Sequence, residues 1–269
     1  MANSYMNDEQ KLEITNLINT QLDMADHFWG ESGKRLEDEE KLAKLSLEHF
    51  RESAVYDSYT NIPSRIPGHS HVPLYKSKNE ELIAIVADMR KSTDHAKTQI
   101  NVHGKSFSPL RRIFLETSAL LPAMERTINF ENGEVTEYLG DGVLGFFGVT
   151  GDDEDIYRIN RTAKRIIFDV REIINNIIYD RYGLPKDINI GVGLAKSHTI
   201  IHTIGLEDKK HVKAFGSCVY DATKLSSGIN KIGVSVEIKN MWPKSKNGQT
   251  VFTHKKFRDV LDGFEIKNN

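Results

Sequence analysis

Residues 82 to 88, LIAIVAD, form an unbroken apolar run rich in β-branched side chains, and the run ends in a single carboxylate. It is too short for a helix and lacks the alternation of a strand with one wet face. A segment of this kind belongs inside a sheet that is covered on both faces. The chain must then supply layers above and below it. With 269 residues, 39% hydrophobic and 28% charged, it is long enough to do so.

The segments that follow supply those layers. Leu110, Ile113, Phe114, Leu121 and Met124 fall on one helical face between Ser108 and Met124, with Ser106 and Ser108 as caps and Pro109 in the first turn. Residues 134 to 147 read as a β-hairpin with the GDG tip at 140 to 142. The stretch from 151 to 183 has an acidic start, helical apolar spacing from Ile156 to Ile177 and a Gly183 stop, so it predicts a long helix. INIGVGLA (188 to 195) and HTIIHTIG (198 to 205) predict a second hairpin. The resulting order of strand, helix, hairpin, helix and strands is an α+β, ferredoxin-like βαββαβ arrangement with additional strands.

Ahead of this lies a charge-rich stretch to about residue 55. Leu42, Leu45, Leu47 and Phe50 sit at helical spacing behind the acidic run Glu37 to Glu40, so a helical extension is expected. YDSYTNIPSRIPGHSHVP, residues 56 to 73, carries three prolines and predicts a loop or linker. The domain boundary is set there: an extension and proline-containing linker over 1–78, and the main domain over 79–269.

Composition excludes several classes. Net charge is -2, from Lys+Arg 36 against Asp+Glu 38, so a surface-wide nucleic-acid interface is not expected. One cysteine, Cys218, provides neither an intramolecular disulfide nor a thiolate metal cage, and suits a reducing compartment. Charges interrupt the first thirty residues and no run approaches the length of a membrane span, so the expectation is a soluble cytoplasmic protein with no membrane partner. The histidines form no helical H-x-x-x-H pair, and GVGLA lies on a predicted strand rather than in a dinucleotide-binding turn.

Two carboxylates remain. Asp141 in the hairpin tip has a plain role as a turn former, and Asp88 has one as a helix cap. In a ferredoxin-like sheet, however, the end of the first strand faces the tip of the following hairpin. After Asp88 come Met89, Arg90, Lys91, Ser92 and Thr93, and the following segment can turn helical, which would place free backbone N–H groups and two hydroxyls where a phosphate would sit. Paired carboxylates beside a phosphate cradle are how a two-metal site is built, with ions about 3.5 to 4 Å apart.

These stretches resemble a known family. ADMRKST, residues 87 to 93, is similar to the F-x-D-I/M-x-G-F/S-T metal motif of class III nucleotidyl cyclases, and EYLGDG, residues 137 to 142, to their second metal motif. INIGVGLAKSHTIIHTIG resembles their I-G-I-G-x-x-x-G segment, and HVKAFGSCVYDATKLSS their G-x-x-V-N-x-A-x-R-L helix. The stand-alone size, helical extension and IPSRIPGHS lead-in look most like the cytidylate and uridylate cyclases of bacterial Pycsar antiphage systems.

The resemblance implies a class III cyclase catalytic domain that cyclises a nucleoside triphosphate with two divalent metal ions, Mn2+ or Mg2+. Asp88, Asp141 and the Met89 carbonyl would bind the metals, and Lys91, Ser92 and Thr93 would line the triphosphate. The active sites would lie between the protomers of a homodimer. Tyr220 stands where the family has a transition-state Asn, and Lys224 where it has an Arg, while Lys91 and Ser197 replace motif glycines. Purine cyclases of the family select adenine with a Lys and an Asp, or guanine with a Glu and a Cys; the matching positions here are Glu137 and Lys213. That pair favours UTP or CTP over the purines, with Tyr59 expected to stack on the base. A separate cyclic-nucleotide-sensing effector is implied as partner. The alternatives are a purine cyclase, or a silent nucleotide-binding module of the same fold.

Overall fold

The computed structural model describes residues 4–30, 61–74, 76–102, 104–206, 209–244 and 249–267. Its first half contains α1 (Asp8–Phe28), a hairpin of β1 (Asn61–Ile66) and β2 (His69–Pro73), β3 (Lys78–Arg90) and the short α2 (Ser92–Lys97). A small hairpin of β4 (Ile100–Val102) and β5 (Lys105–Phe107) leads to α3 (Pro109–Asn129), β6 (Glu134–Tyr138) and β7 (Gly142–Gly148). Next come α4 (Asp153–Lys164), a π-helical turn (Arg165–Val170), α5 (Arg171–Tyr182), β8 (Asn189–Ile204) and β9 (His211–Phe215). The last elements are α6 (Ser217–Leu225), β10 (Ile232–Val234), α7 (Val236–Met241), β11 (Val251–Phe257) and β12 (Leu261–Lys267).

The main sheet runs β11-β12-β10-β8-β3-β7-β6, with β9 added on β8. β3 is an interior strand, antiparallel to β8 along its whole length and to β7 from Leu82 to Asp88. Its pleat assigns two faces. Ile83, Ile85, Ala87 and Met89 enter one buried cluster with α1, α3, α4 and α5. Leu82, Ala84 and Val86 enter another with Ile66, Val72, Cys218, Ala222, Leu225 and Phe257. Asp88 continues the second series, so its side chain leaves the sheet on the face covered by α6 and the β1–β2 hairpin.

Local chemistry explains the helices. Ser108 caps α3 by accepting the Arg111 amide at 3.2 Å, with Pro109 in the first turn. Gly183 ends α5 with φ 69°. The helix predicted over 151–183 is interrupted by the π-helical turn at Arg165–Val170. α1 packs Ile14, Ile18, Leu22 and Ala25 into the first cluster, so this part of the helical extension belongs to the same core. The helix expected around Leu42 to Phe50 lies outside the described residues.

Two expectations are corrected. The segment 188–205 is one strand rather than a hairpin, because β3 offers a partner to every residue from Asn189 to Ile201 and nothing at Lys196 and Ser197 favours a turn. The proline-rich stretch is a hairpin at 61–73 rather than a loop. Pro67 and Gly68, with φ 77° at the glycine, make its turn, while Pro63 and Pro73 sit in a two-strand ribbon that tolerates missing donors. α6 crosses β8 so closely that a Cβ added at Gly191 or Gly193 would lie 1.9 Å from the Ser226 or Ala222 carbonyl oxygen. This close approach gives the IGVG segment its glycines.

Candidate active site

β3 and the β6–β7 turn bring the two carboxylates together. Asp88 pairs with Gly142 in the ladder, and the Met89 amide donates to the Asp141 carbonyl oxygen at 3.0 Å. The two carboxyl groups are close enough for the charge of one to act on the other. Burial and the neighbouring charge of Asp141 push Asp88 up to about 6, against the opposing pull of Arg90 and Arg258. Arg90 donates to the Asp88 carboxylate, and the Ser92 hydroxyl donates to that of Asp141. Two carboxylates brought together offer an all-oxygen donor set of the kind that Mg2+ or Mn2+ takes.

The following loop curves around this pair. Lys91 has φ 63° and ψ 24°, a left-handed conformation that costs a non-glycine residue roughly 1–2 kcal/mol. Lys91 and Thr93 are exposed and Ser92 is half-buried. The Met89 side chain is buried on the opposite face, which leaves only its backbone for the site.

A second group forms further down the same face. Glu137 on β6 and Lys213 on β9 are ion-paired at 2.6 Å, each about one third exposed. They border a cavity of about 570 Å³ whose other side is β1. Tyr220, 67% exposed, and the half-buried Lys224 sit on α6. Lys224 opposes the rise that burial imposes on Asp221. Tyr59 lies outside the described residues.

Sequence reasoning missed Arg90 as a partner of Asp88, although it lies inside the quoted motif. It also missed Arg258, whose charge reaches Asp88 from the β11–β12 turn, more than a hundred residues away in sequence. No local signal marks that approach. A third miss is a buried network behind α2. His95 Nδ1 lies 2.7 Å from Glu116, Arg112 donates to Glu116 at 2.9 Å, and Arg112 donates to both oxygens of Asp187 at 2.7 and 2.9 Å. His95, Glu116 and Asp187 have donor atoms within 4.8 Å of one another. The Arg112 guanidinium already supplies the cation among them, so the cluster is an ion-pair network that pins α2 to α3.

Comparison with solved structures assigns this fold to one class, that of the class III nucleotidyl cyclase catalytic domain. The guanylyl cyclase Cya2 is 19% identical over 71% of this chain and 91% of its own, with a TM-score of 0.54. The adenylyl cyclase CyaB from P. aeruginosa is 14% identical over 72% and 97%, with a TM-score of 0.58. A class III adenylyl cyclase-like ATP-binding protein from Pseudomonas aeruginosa is 15% identical over 63% and 36%, with a TM-score of 0.54. No protein-family profile and no curated protein matches the chain. Among the described residues no helix is long and apolar enough to cross a membrane.

Proposed function

We propose that residues 79–269 form a metal-dependent nucleotidyl cyclase that converts a nucleoside triphosphate, UTP or CTP before ATP or GTP, to a 3',5'-cyclic nucleotide and pyrophosphate. The observation that carries this reading is the meeting of Asp88 with Asp141, on the fold that the chain shares with a guanylyl and an adenylyl cyclase. In the reaction the ribose 3'-oxygen attacks the α-phosphorus, the bond to the bridging oxygen breaks, and pyrophosphate leaves. Asp88 and Asp141, with the Met89 carbonyl, would hold two divalent cations. Held there, such ions would supply Lewis acidity toward the 3'-hydroxyl and the leaving pyrophosphate.

The chain's own groups do the rest. Lys91, Ser92 and Thr93 line the triphosphate, and Arg258 adds positive charge on the Asp88 side. Glu137 accepts from the base and Lys213 donates to it. Tyr220 and Lys224 act on the nucleotide of the partner protomer in a homodimer; the exposure of Tyr220 supports this, since a side chain offered across an interface points away from its own core. Lys224 gives a point charge without the two-pronged fork of Arg. The resemblance to stand-alone pyrimidine cyclases supports a cytoplasmic role in bacterial antiphage defence, the product acting on a separate cyclic-nucleotide-sensing effector.

A silent nucleotide-binding module is the second reading. Tyr220 and Lys224 at the motif Asn and Arg positions favour it, as does the likeness to an ATP-binding protein of the same fold. Turnover decides between them. Purified protein is incubated with each of the four nucleoside triphosphates and Mn2+, and products are read by mass spectrometry. Cyclic nucleotide is expected, and Asp88→Ala or Asp141→Ala should lower its yield by more than the roughly 10- to 100-fold of an outer-shell metal defect. Binding without product would establish the module instead.

A further inference from the structure

We propose that strand β1 is the second wall of the base pocket and sets the size of the ring that the pocket admits. The proposal rests on the cyclase reading and names what makes its pocket selective. The cavity of about 570 Å³ lies between Ile62, Pro63 and Ser64 of β1 and the Glu137–Lys213 pair. That volume falls inside the roughly 300–1,000 Å³ of small-molecule sites.

The chemistry of the two sides differs. The Glu137–Lys213 side holds a carboxylate acceptor and an ammonium donor, which suit the polar edge of a base. The β1 side offers Ile62 and Pro63 as an apolar surface for the ring. Among the described residues β1 bonds only to β2, and its other edge faces β6 and β9 across the cavity. A free strand edge carries peptide N–H and C=O groups. Pro63 removes one donor from that row, and the Ser64 hydroxyl is occupied in accepting the Ile66 amide at 3.0 Å.

The wall is also fixed in place. Ile66 and Val72, 3% and 0% exposed, anchor the hairpin in the cluster beneath the sheet face. Arg65 donates to Glu125 on α3 at 3.0 Å, and the Tyr138 hydroxyl at the end of β6 donates to the same carboxylate. The exposed Arg65 pair adds little by itself; the two buried side chains do most of the holding. A wall held this way does not retreat, so Ile62 is the side chain that limits how far a ring reaches from the Glu137–Lys213 pair.

The test is binding by the full chain. Ligands are the four 3'-deoxynucleoside triphosphates, which lack the attacking hydroxyl, and base-free ribose 5'-triphosphate, each with Mn2+ and titrated by calorimetry. Ile62→Ala widens the slot and should raise the purine-to-pyrimidine affinity ratio by at least about tenfold, the discrimination that one or two pocket methylenes carry. Ser64→Phe fills the slot and should weaken all four nucleotides while leaving ribose 5'-triphosphate unchanged. Circular dichroism confirms that both variants are folded. An unmoved ratio in Ile62→Ala together with normal nucleotide binding by Ser64→Phe overturns the proposal. So does equal weakening of the base-free ligand, which would make the hairpin a mere support. Failure of the wild-type chain to bind any of the five ligands sinks the cyclase reading itself, a result distinct from both.

Discussion

The amide of Met89 donates to the carbonyl oxygen of Asp141 at 3.0 Å. The strand end that carries one carboxylate is therefore clamped to the turn that carries the other, and the two negative groups are held together by backbone rather than by mutual attraction. Such a clamp has a thermodynamic signature, because the fold must tolerate the repulsion whenever both groups are ionised.

The sign follows from Asp88, which sits at about 6 in the folded chain against an ordinary 3.8. Between these values the folded state keeps a proton that the unfolded state has released. Stability contributed by this group is full below about pH 4, falls as pH rises toward 6 and stays lost above it. Asp88→Asn removes the titration. In EDTA, the melting temperature of Asp88→Asn relative to the wild type should climb from pH 4 to 6 and then level off. Added Mn2+ should reverse the order at pH 7.5 by stabilising only the chain with both carboxylates. A difference that is flat across pH 4 to 7, measured by scanning fluorimetry, would show that the pair is not coupled in this way.

Lys91 holds a left-handed conformation at φ 63° where the motif it resembles has glycine. Glycine would relieve that strain but adds roughly 0.5–1 kcal/mol of unfolded-state entropy. Lys91→Gly should therefore leave the melting temperature unchanged or slightly raised while increasing KM for the triphosphate, since the ammonium is lost. A fall in stability with KM intact would assign Lys91 to the fold instead.

Much of this site was legible from sequence because its parts are local. LIAIVAD and the GDG tip announce themselves through apolar continuity and turn chemistry, and sheet topology then brings Asp88 and Asp141 together. The Glu137–Lys213 pair was named through the resemblance to the purine cyclases, whose base-selecting positions they match, and its 2.6 Å contact needed the fold. Arg258 was invisible, because it arrives on a hairpin whose path past α6 has no periodic signature. The β1–β2 hairpin was read as a linker since prolines usually interrupt strands. Here they lie in an isolated ribbon where missing donors cost little. The single strand at 189–204 was split because Lys196 and Ser197 look polar, yet β3 bonds straight across them.

The network behind α2 gives a stability prediction. Glu116 is fully buried and accepts from both His95 and Arg112. Removing it leaves Arg112 paired with Asp187 but takes the acceptor from His95 Nδ1 and Arg112 Nε, so Glu116→Ala should cost roughly 1–3 kcal/mol. Urea unfolding reads the change, and a loss below 1 kcal/mol would mean that Asp187 alone satisfies Arg112.

Composite sites make a prediction that single variants do not. Asp88→Ala and Lys224→Ala protomers should each be inactive as homodimers, the latter because a cation acting across an interface in phosphoryl transfer contributes roughly 10³ to 10⁵ in rate. Mixed, they form heterodimers in which one of the two sites keeps both residues, and part of the activity should return. Heterodimers shown by native mass spectrometry to have formed, yet to be inactive, would exclude shared sites.

The final prediction concerns the order of charges at the base. Adenine needs a donor toward N1 and an acceptor for its amino group, and the purine-selecting Lys and Asp of the resembled family supply them in the order opposite to Glu137 and Lys213. Guanine would accept Glu137 as partner for its N1–H, but the length of Lys213 crowds a second ring. A uracil or cytosine ring leaves room for that side chain and offers carbonyl oxygens for its ammonium to donate to. Competition among equimolar triphosphates with Mn2+ should thus yield cyclic UMP or cyclic CMP before cyclic AMP or cyclic GMP. The reversed pair, Glu137→Lys with Lys213→Asp, keeps an opposite-charge contact across β6 and β9 while shortening the Lys213 side. It should shift the product toward cyclic AMP by at least about tenfold relative to wild type, because each buried hydrogen-bond mismatch penalises the wrong base. A wild-type preference for a purine would overturn the pyrimidine assignment. A double variant that folds but keeps the wild-type product ratio would show instead that the base is read by other groups.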